Sequence, residues 1–184
     1  MPPVILNGSA GVTTNSGAVY DGIAKGTAVA STSGTVIDFT GIPSWVERIT
    51  VMFNGVSTNA TGSRRMLIQI GTGGSPTATG YLSSASSIGA TNNTTSSTTS
   101  ATNGFVLQGY PPTATKAFTG SIVITNITGN TWVSSGLLSD DVGADGVVMS
   151  AGAVTLSGVL NMVRITTQPT PDTFDAGSIN IIYE

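Results

Sequence analysis

The sequence predicts an all-β protein: an antiparallel β-sandwich of the jelly-roll type with an extended N-terminal arm. Three observations lead to this prediction. Short runs rich in Val, Ile, Thr and aromatic residues alternate with clusters of Gly, Ser, Asn and Pro, as in sandwiches and barrels. The apolar spacing of an amphipathic helix is missing, and 24 glycines in 184 residues disfavour long helices. The strands are numerous and their connections are long, which favours a jelly roll over a simple meander.

The candidate strands follow from these runs. In chain order they are Thr35–Thr40, Val46–Phe53, Met66–Ile70, Gly104–Gln108, Phe118–Ile127, Thr131–Leu137, Gly146–Met149, Ala153–Leu160, Met162–Thr167 and Gly177–Tyr183. Side chains alternate between the two faces of a strand. We therefore expect Ile49, Val51 and Phe53 to share one face, with Met52 on the other. By the same rule Ile122 and Val123 lie on opposite faces.

The chain divides into two regions. Residues 1–33 are rich in Gly, Ser and Thr with scattered apolar residues, and they are predicted to form an extended arm. Residues 34–184 are predicted to form the sandwich. Within it, Ser83–Asn103 is a low-complexity Ser/Thr/Asn/Gly segment with few large apolar side chains, so we interpret it as a long loop. Loops of this length are usually binding elements or mobile.

Composition excludes several classes of function. Charged residues make up 8% of the chain, against about 25% in an average soluble protein. The net charge of −3 and six scattered cations leave no basic stripe for nucleic acid, and no apolar stretch is long enough to insert into a membrane. The chain has no histidine and no cysteine, the usual general base, thiol nucleophile and zinc ligands. We therefore expect no enzyme and no cofactor.

The acidic residues offer one open alternative. Asp140, Asp141 and Asp145 lie within six residues, a density that suits a calcium ion, but their spacing is not that of an EF-hand. A solvated hairpin turn explains the cluster equally well. Elsewhere, Glu47 beside Arg48 is interpreted as a surface ion pair, and Asp38 is expected to point outward without an obvious partner. No carboxylate pair of the kind that glycosidases use is apparent.

Two segments resemble a known module. Residues 33–59 (SGTVIDFTGIPSWVERITVMFNGVSTN) resemble a module that recurs in virion proteins of tailed bacteriophages, usually called tail-fibre, head-fibre or structural proteins. Residues 173–184 (TFDAGSINIIYE) are similar to its closing strand. The resemblance implies a β-sandwich head that trimerises, with an N-terminal arm attached to the particle. It implies no catalytic residues.

We therefore expect a structural component of a tailed-phage virion, a small trimeric fibre or capsid decoration protein. Its partners would be further copies of itself and other virion proteins of the capsid, tail or baseplate. It would be made in the bacterial cytoplasm and end on the particle exterior. The alternative is a receptor- or glycan-binding module of a tail fibre, in which the 83–103 loop and Tyr81 or Tyr110 contact the host surface.

Anchoring is assigned to the large apolar residues of the arm, which is too poor in apolar periodicity to fold alone. These residues are Val4, Ile5, Leu6, Val12, Val19, Tyr20 and Ile23. Trimerisation is expected because some apolar side chains of the strands must face outward, and sheet edges without charge invite association.

Overall fold

The computed structural model describes residues 5–7, 11–13, 19–20, 22–60, 64–89, 95–109, 114–140, 146–168 and 172–184. These residues form strands, turns and irregular segments, with no helix among them. In chain order the strands are β1 (Ile5–Asn7), β2 (Gly11–Thr13), β3 (Val19–Tyr20), β4 (Ala24–Lys25), β5 (Val29–Ala30), β6 (Val36–Thr40), β7 (Arg48–Thr58), β8 (Arg65–Thr72), β9 (Ser75–Pro76), β10 (Leu82–Gly89), β11 (Thr95–Ala101), β12 (Phe105–Val106), β13 (Phe118–Thr128), β14 (Thr131–Asp140), β15 (Gly146–Thr155), β16 (Met162–Gln168) and β17 (Phe174–Tyr183).

Two antiparallel sheets form the body of the protein, as predicted. The large sheet has nine strands in the order β11-β10-β15-β14-β13-β7-β17-β4, with β5 also paired to β17. The small sheet has the order β12-β8-β16-β6, with β9 also paired to β8. Their inner faces share one apolar core, which contains Val51 and Ile122 of the large sheet and Ile68 and Ile165 of the small sheet. The β-sandwich is therefore confirmed.

Alternation along the strands builds this core. Ile49, Val51 and Phe53 of β7 are buried, while Met52 between them is partly exposed. In β13, Ile122 is buried and its neighbour Val123 is partly exposed. Both assignments agree with the sequence prediction. Each fully buried aliphatic or aromatic side chain stabilises the fold by about 1.5–3 kcal/mol relative to exposure.

The jelly-roll topology stays a prediction, and the strand order favours it. The chain passes repeatedly between the sheets: β6, β8, β12 and β16 lie in the small sheet, while β7, β10, β11 and β17 lie in the large one. The meander β13-β14-β15 stands between β7 and β10. Strands that are adjacent in the small sheet, such as β6 and β16, are therefore far apart in sequence, as crossing connections of the Greek-key type require.

Two sequence predictions about the strands were wrong. Gly146–Met149 and Ala153–Leu160 are not separate strands, because β15 runs continuously over Gly146–Thr155. The segment Ser83–Asn103 is not one long loop either. It holds β10 and β11, which pair as an antiparallel hairpin from Ser83↔Ala101 to Ile88↔Thr95.

The serines of this hairpin explain why it folds without large apolar side chains. Ser83 and Ser87 of β10 point inward, where their hydroxyl oxygens accept hydrogen bonds from Val106 N–H at 2.9 Å and Gly109 N–H at 3.1 Å. Ser150 of β15 donates its hydroxyl to Val106 O at 2.6 Å. These hydroxyls pair with the backbone at the free edge of β12, so the small sheet is joined to the large sheet by hydrogen bonds.

The N-terminal region adds short strands. Among β1, β2 and β3 the Cα partners include Leu6↔Val12 and Val12↔Tyr20. Further along, β4 and β5 pair with β17, and the Ser31 hydroxyl donates to Ala176 O at 2.7 Å. Residues 24–31 therefore lie along the sandwich. The division into an arm of residues 1–33 and a domain of residues 34–184 stays a prediction.

Candidate functional site

The most distinctive surface is the outer face of the large sheet. Its inward side chains, among them Leu138 and Val148, are buried in the core, so the next residues along each strand point outward. Five large hydrophobic side chains are exposed there: Leu82, Ile88, Leu137, Val147 and Met149. Two of these are opposite each other in adjacent strands, Leu137 with Met149. We call this surface the apolar face.

The apolar face is concentrated and highly exposed. Leu82 is 76% exposed and Leu137 is 56% exposed, although leucine is among the residues most often fully buried. Val147 lies opposite Ile88 in the pairing of β15 with β10. The partly exposed Met52 and Val123 continue the same side of the sheet into β7 and β13. Apolar side chains thus extend across five neighbouring strands.

Charge is nearly absent from this surface. The sequences of β10, β11, β13, β14 and β15 contain a single charged residue, Asp140, at the end of β14. The other outward positions include Ser84, Ser121 and Ser135, and β15 adds the small apolar side chains of Ala151 and Ala153. Such a surface loses little hydration when it is covered, because no ionised group has to be desolvated.

The size of the sheet suits a protein interface. The five strands from β10 to β7 that carry the apolar side chains span about 24 Å at a spacing of about 4.8 Å, and six residues along a strand span about 20 Å. Their outer face therefore covers roughly 500 Å². Stable interfaces bury about 800 Å² on each partner, so this face supplies the greater part of such an area.

Among the described residues, no strand pairs with the outer edge of the sheet beside this face. β11 is its terminal strand, and its sequence (TSSTTSA) has neither charge nor proline. Charged side chains and prolines are the usual guards against pairing at an exposed edge. The edge therefore offers backbone hydrogen-bonding groups next to the apolar face.

A second surface feature is a polar groove at the start of β8. It encloses about 300 Å³. Its lining residues are Arg65, Leu67, Ser100, Ala101, Thr102, Asn103, Val106 and Gln168. Arg65 and Gln168 are opposite each other in the pairing of β8 with β16, and the turn after β11 brings Asn103 into contact with Gln168. Leu67 and Val106 are buried beneath the groove, and the partly buried Ala101 packs against them.

The predicted anchoring residues lie in the N-terminal strands. Ile5 and Leu6 belong to β1, Val12 to β2, and Val19 and Tyr20 to β3. Ile23 lies just before β4 and is 66% exposed, which leaves it accessible to a partner. Val4 lies outside the described residues. The anchoring role of this set stays a prediction.

The acidic cluster is only partly described. Asp140 ends β14, while Asp141 and Asp145 lie outside the described residues. In the part of the chain that the structure describes, no three His, Cys, Asp or Glu residues come close enough to hold a metal ion. The choice between a calcium site and a solvated turn stays open.

Two ion pairs differ from those expected from the sequence. Arg48 pairs with the C-terminal residue Glu184 and not with Glu47. Asp38 is exposed as expected, and it has a partner: Arg164 donates to its two carboxylate oxygens at 2.7 and 2.6 Å. Hydrogen bonding to Asp38 raises the pKa of Arg164. These pairs lie at the surface of the sandwich.

The tyrosine proposed to contact the host belongs to the core instead. Tyr81 is 1% exposed, and its hydroxyl accepts from Ile70 N–H at 2.8 Å and donates to Ile70 O at 3.2 Å. Its ring meets that of Phe105 edge-on at 5.0 Å. Burial raises the pKa of Tyr81, partly offset by the hydrogen bond to Ile70. Tyr110, the other candidate, lies outside the described residues.

Trp45 packs on the core, with its ring 6.0 Å from that of Tyr183. No helix in the described residues is long and apolar enough to span a membrane.

Sequence reasoning found only part of these surfaces. Met52 and Val123 were candidates for outward apolar positions, but Leu137, Val147 and Met149 were not singled out. The doublets Leu137-Leu138 and Val147-Val148 were the available signal, because two consecutive apolar residues in a strand place one on each face. No local sequence pattern points to the groove, because Arg65 and Gln168 are far apart in sequence.

Comparison with known proteins adds no relative. No protein-family model matches the chain. No curated protein matches it in sequence either. The structure itself defines the chain as an all-β antiparallel sandwich with an exposed apolar face.

Proposed function

We propose that the chain is a structural component of a tailed-phage virion, a small homotrimeric fibre or capsid decoration protein. It is made in the bacterial cytoplasm and attaches to the outside of the particle through its N-terminal arm. The likeness of residues 33–59 and 173–184 to phage virion modules supports the setting. The apolar face supports the mode of action, which is association by burial of surface.

The observation that carries this proposal is the apolar face itself. Clustered exposed apolar side chains on a monomer usually mark a subunit interface. Since the strands around them carry almost no charge, little repulsion opposes the approach of another copy. A charge-free surface also has nothing to select a charged partner, so the proposed partner is a second copy of the chain. In a cyclic trimer the contacts are heterologous, so one part of the face packs against a different part of the neighbouring subunit's face.

The oligomeric state tests this role directly. We expect the full chain to have the mass of a trimer in multi-angle light scattering at micromolar concentration. Leu137→Glu places a carboxylate at the centre of the apolar face, where burial in an interface would cost several kcal/mol. We expect this variant to dissociate to monomers with unchanged circular dichroism. Val159→Glu adds the same charge to a 56% exposed valine in the turn after β15 and should stay trimeric.

Two results would contradict the assembly role. One is a monomeric mass for the unmodified chain at micromolar concentration. The other is a Leu137→Glu variant that remains trimeric. The virion setting has a separate test, electron microscopy of purified particles labelled through an affinity tag on the chain. Label on the head supports decoration, label on the tail supports a fibre, and unlabelled particles reject both.

The second candidate function is a receptor- or glycan-binding module of a tail fibre. Tyr81 cannot contribute to it, because its ring and hydroxyl are enclosed in the core. The observation that favours this candidate is the polar groove beside Arg65, whose amides, hydroxyls and guanidinium are of the kinds that bind sugars.

A further inference from the structure

Arg65 differs from the other arginines of this chain. Arg48, Arg64 and Arg164 each pair with a carboxylate: Glu184, Asp172 and Asp38 respectively. In the described structure Arg65 has no such partner, and its Nε is buried without any hydrogen-bond acceptor. A buried donor left unpaired costs about 1–3 kcal/mol, and more on a charged group. Arg65 is therefore the one arginine of the described residues that lines a groove without a carboxylate partner.

The groove around Arg65 is held in place by hydrogen bonds. Gln69 donates its Nε2 to Asn103 O at 2.8 Å, which fixes the turn after β11. Asn103 in turn donates its Nδ2 to Gln168 Oε1. This arrangement leaves Gln168 Nε2 as a donor and Asn103 Oδ1 as an acceptor for a ligand. The groove thus presents fixed polar groups beside the guanidinium.

We propose that this groove binds an acidic sugar, with its carboxylate on Arg65 and its hydroxyls on Asn103 and Gln168. The planar guanidinium matches a carboxylate with two parallel hydrogen bonds. Ser100 and Thr102 add exposed hydroxyls, and the partly buried Ala101 offers an apolar contact for the C–H groups of a sugar ring. A volume of about 300 Å³ is at the small end of ligand sites and suits one sugar unit.

The inference rests on the second candidate function and is independent of the assembly role. Arg65 lies in the small sheet, whereas the apolar face belongs to the large sheet. Failure of sugar binding with an intact trimer would therefore reject the groove and leave the assembly role standing. Loss of the trimer with sugar binding retained would reject the assembly role and leave the sugar site standing.

The test is titration of the full chain with four probes, followed by NMR chemical shifts and calorimetry. The probes are glucuronate, glucose, acetate and a short peptide with a free C-terminal carboxylate. We expect glucuronate to bind and to shift the side-chain amide signals of Asn103 and Gln168. Acetate should bind more weakly at the same place, and glucose should bind at least tenfold more weakly than glucuronate. Added salt should weaken glucuronate binding.

Single substitutions test whether glucuronate binds at Arg65. Arg65→Gln should weaken glucuronate binding about tenfold or more, the loss expected when a charge-assisted bidentate pair is removed. Arg65→Lys keeps the positive charge but lacks the planar, two-donor guanidinium. Its affinity for glucuronate should therefore lie between those of the unmodified chain and of Arg65→Gln. Arg48→Gln removes an exposed positive charge elsewhere and should bind like the unmodified chain.

Three outcomes would overturn the proposal. Glucuronate that does not bind at millimolar concentration is one. Binding that survives Arg65→Gln is another. Tighter binding of the peptide than of glucuronate would identify the groove as a site for a protein carboxylate instead.

Discussion

At the scale of single residues, burial decides how a polar side chain behaves in this sandwich. Tyr81 carries a polar hydroxyl into the core, where both of its hydrogen bonds go to the backbone of Ile70. The hydroxyl must stay protonated there, because ionisation would place a charge among apolar neighbours. Burial therefore raises the pKa of this group and makes stability sensitive to alkali.

We predict that the fold loses stability above about pH 10 through Tyr81. The pKa of this residue is raised in the folded state, so its contribution is complete below the unfolded pKa of about 10 and falls as the pH rises further. The loss approaches about 1.4 kcal/mol per pH unit. Tyr81→Phe cannot ionise, so its stability should fall less between pH 8 and pH 11 in urea denaturation. Equal losses in the two proteins would contradict the assignment.

At the scale of elements, small polar side chains hold β12 in place. This strand has two residues, too few to be stable by backbone pairing alone. Its Val106 N–H and C=O are satisfied by the hydroxyls of Ser83 and Ser150. The serine-rich hairpin β10-β11 is therefore part of the folded body and not a mobile loop.

We predict that Ser83→Ala lowers the free energy of unfolding by about 1–3 kcal/mol. The change leaves Val106 N–H buried without a partner, and that penalty is larger than the net worth of a satisfied hydrogen bond. The neighbouring Ser84 is exposed, so Ser84→Ala should change stability by less than about 0.5 kcal/mol. Chemical denaturation of both variants gives the comparison. Similar values would show that the hydroxyl of Ser83 has no structural role.

At the scale of the whole molecule, two regions carry the proposed roles: the apolar face for self-association and the N-terminal strands for attachment. The two sheets share one core, and the described core residues come from Val29 onward. Residues 24–31 lie along β17 and belong with the sandwich, whereas the proposed anchoring residues precede them or lie at their start. Folding and attachment should therefore be separable.

We predict that removal of residues 1–21 leaves a folded trimer that no longer joins the particle. The deletion takes away β1, β2 and β3 and keeps β4 and β5 on the edge of β17. Circular dichroism and light scattering should match those of the full chain, while the truncated protein should be missing from purified virions. Incorporation of the truncated protein would contradict anchoring by this region. A loss of the trimer would show that the region takes part in assembly.

The sequence by itself determined the fold class and the faces of the central strands. The alternation of Ile49, Val51 and Phe53 with polar or flexible neighbours is a local pattern, and it fixes which side of a strand is buried wherever that strand pairs. The tertiary structure decided the rest. Ser83 became structural only because Val106, 23 residues away, brings its N–H within reach. Arg65, Asn103 and Gln168 share a groove because β8 and β16 are paired in one register. Such contacts depend on long-range pairing, which a local pattern of residue types does not encode.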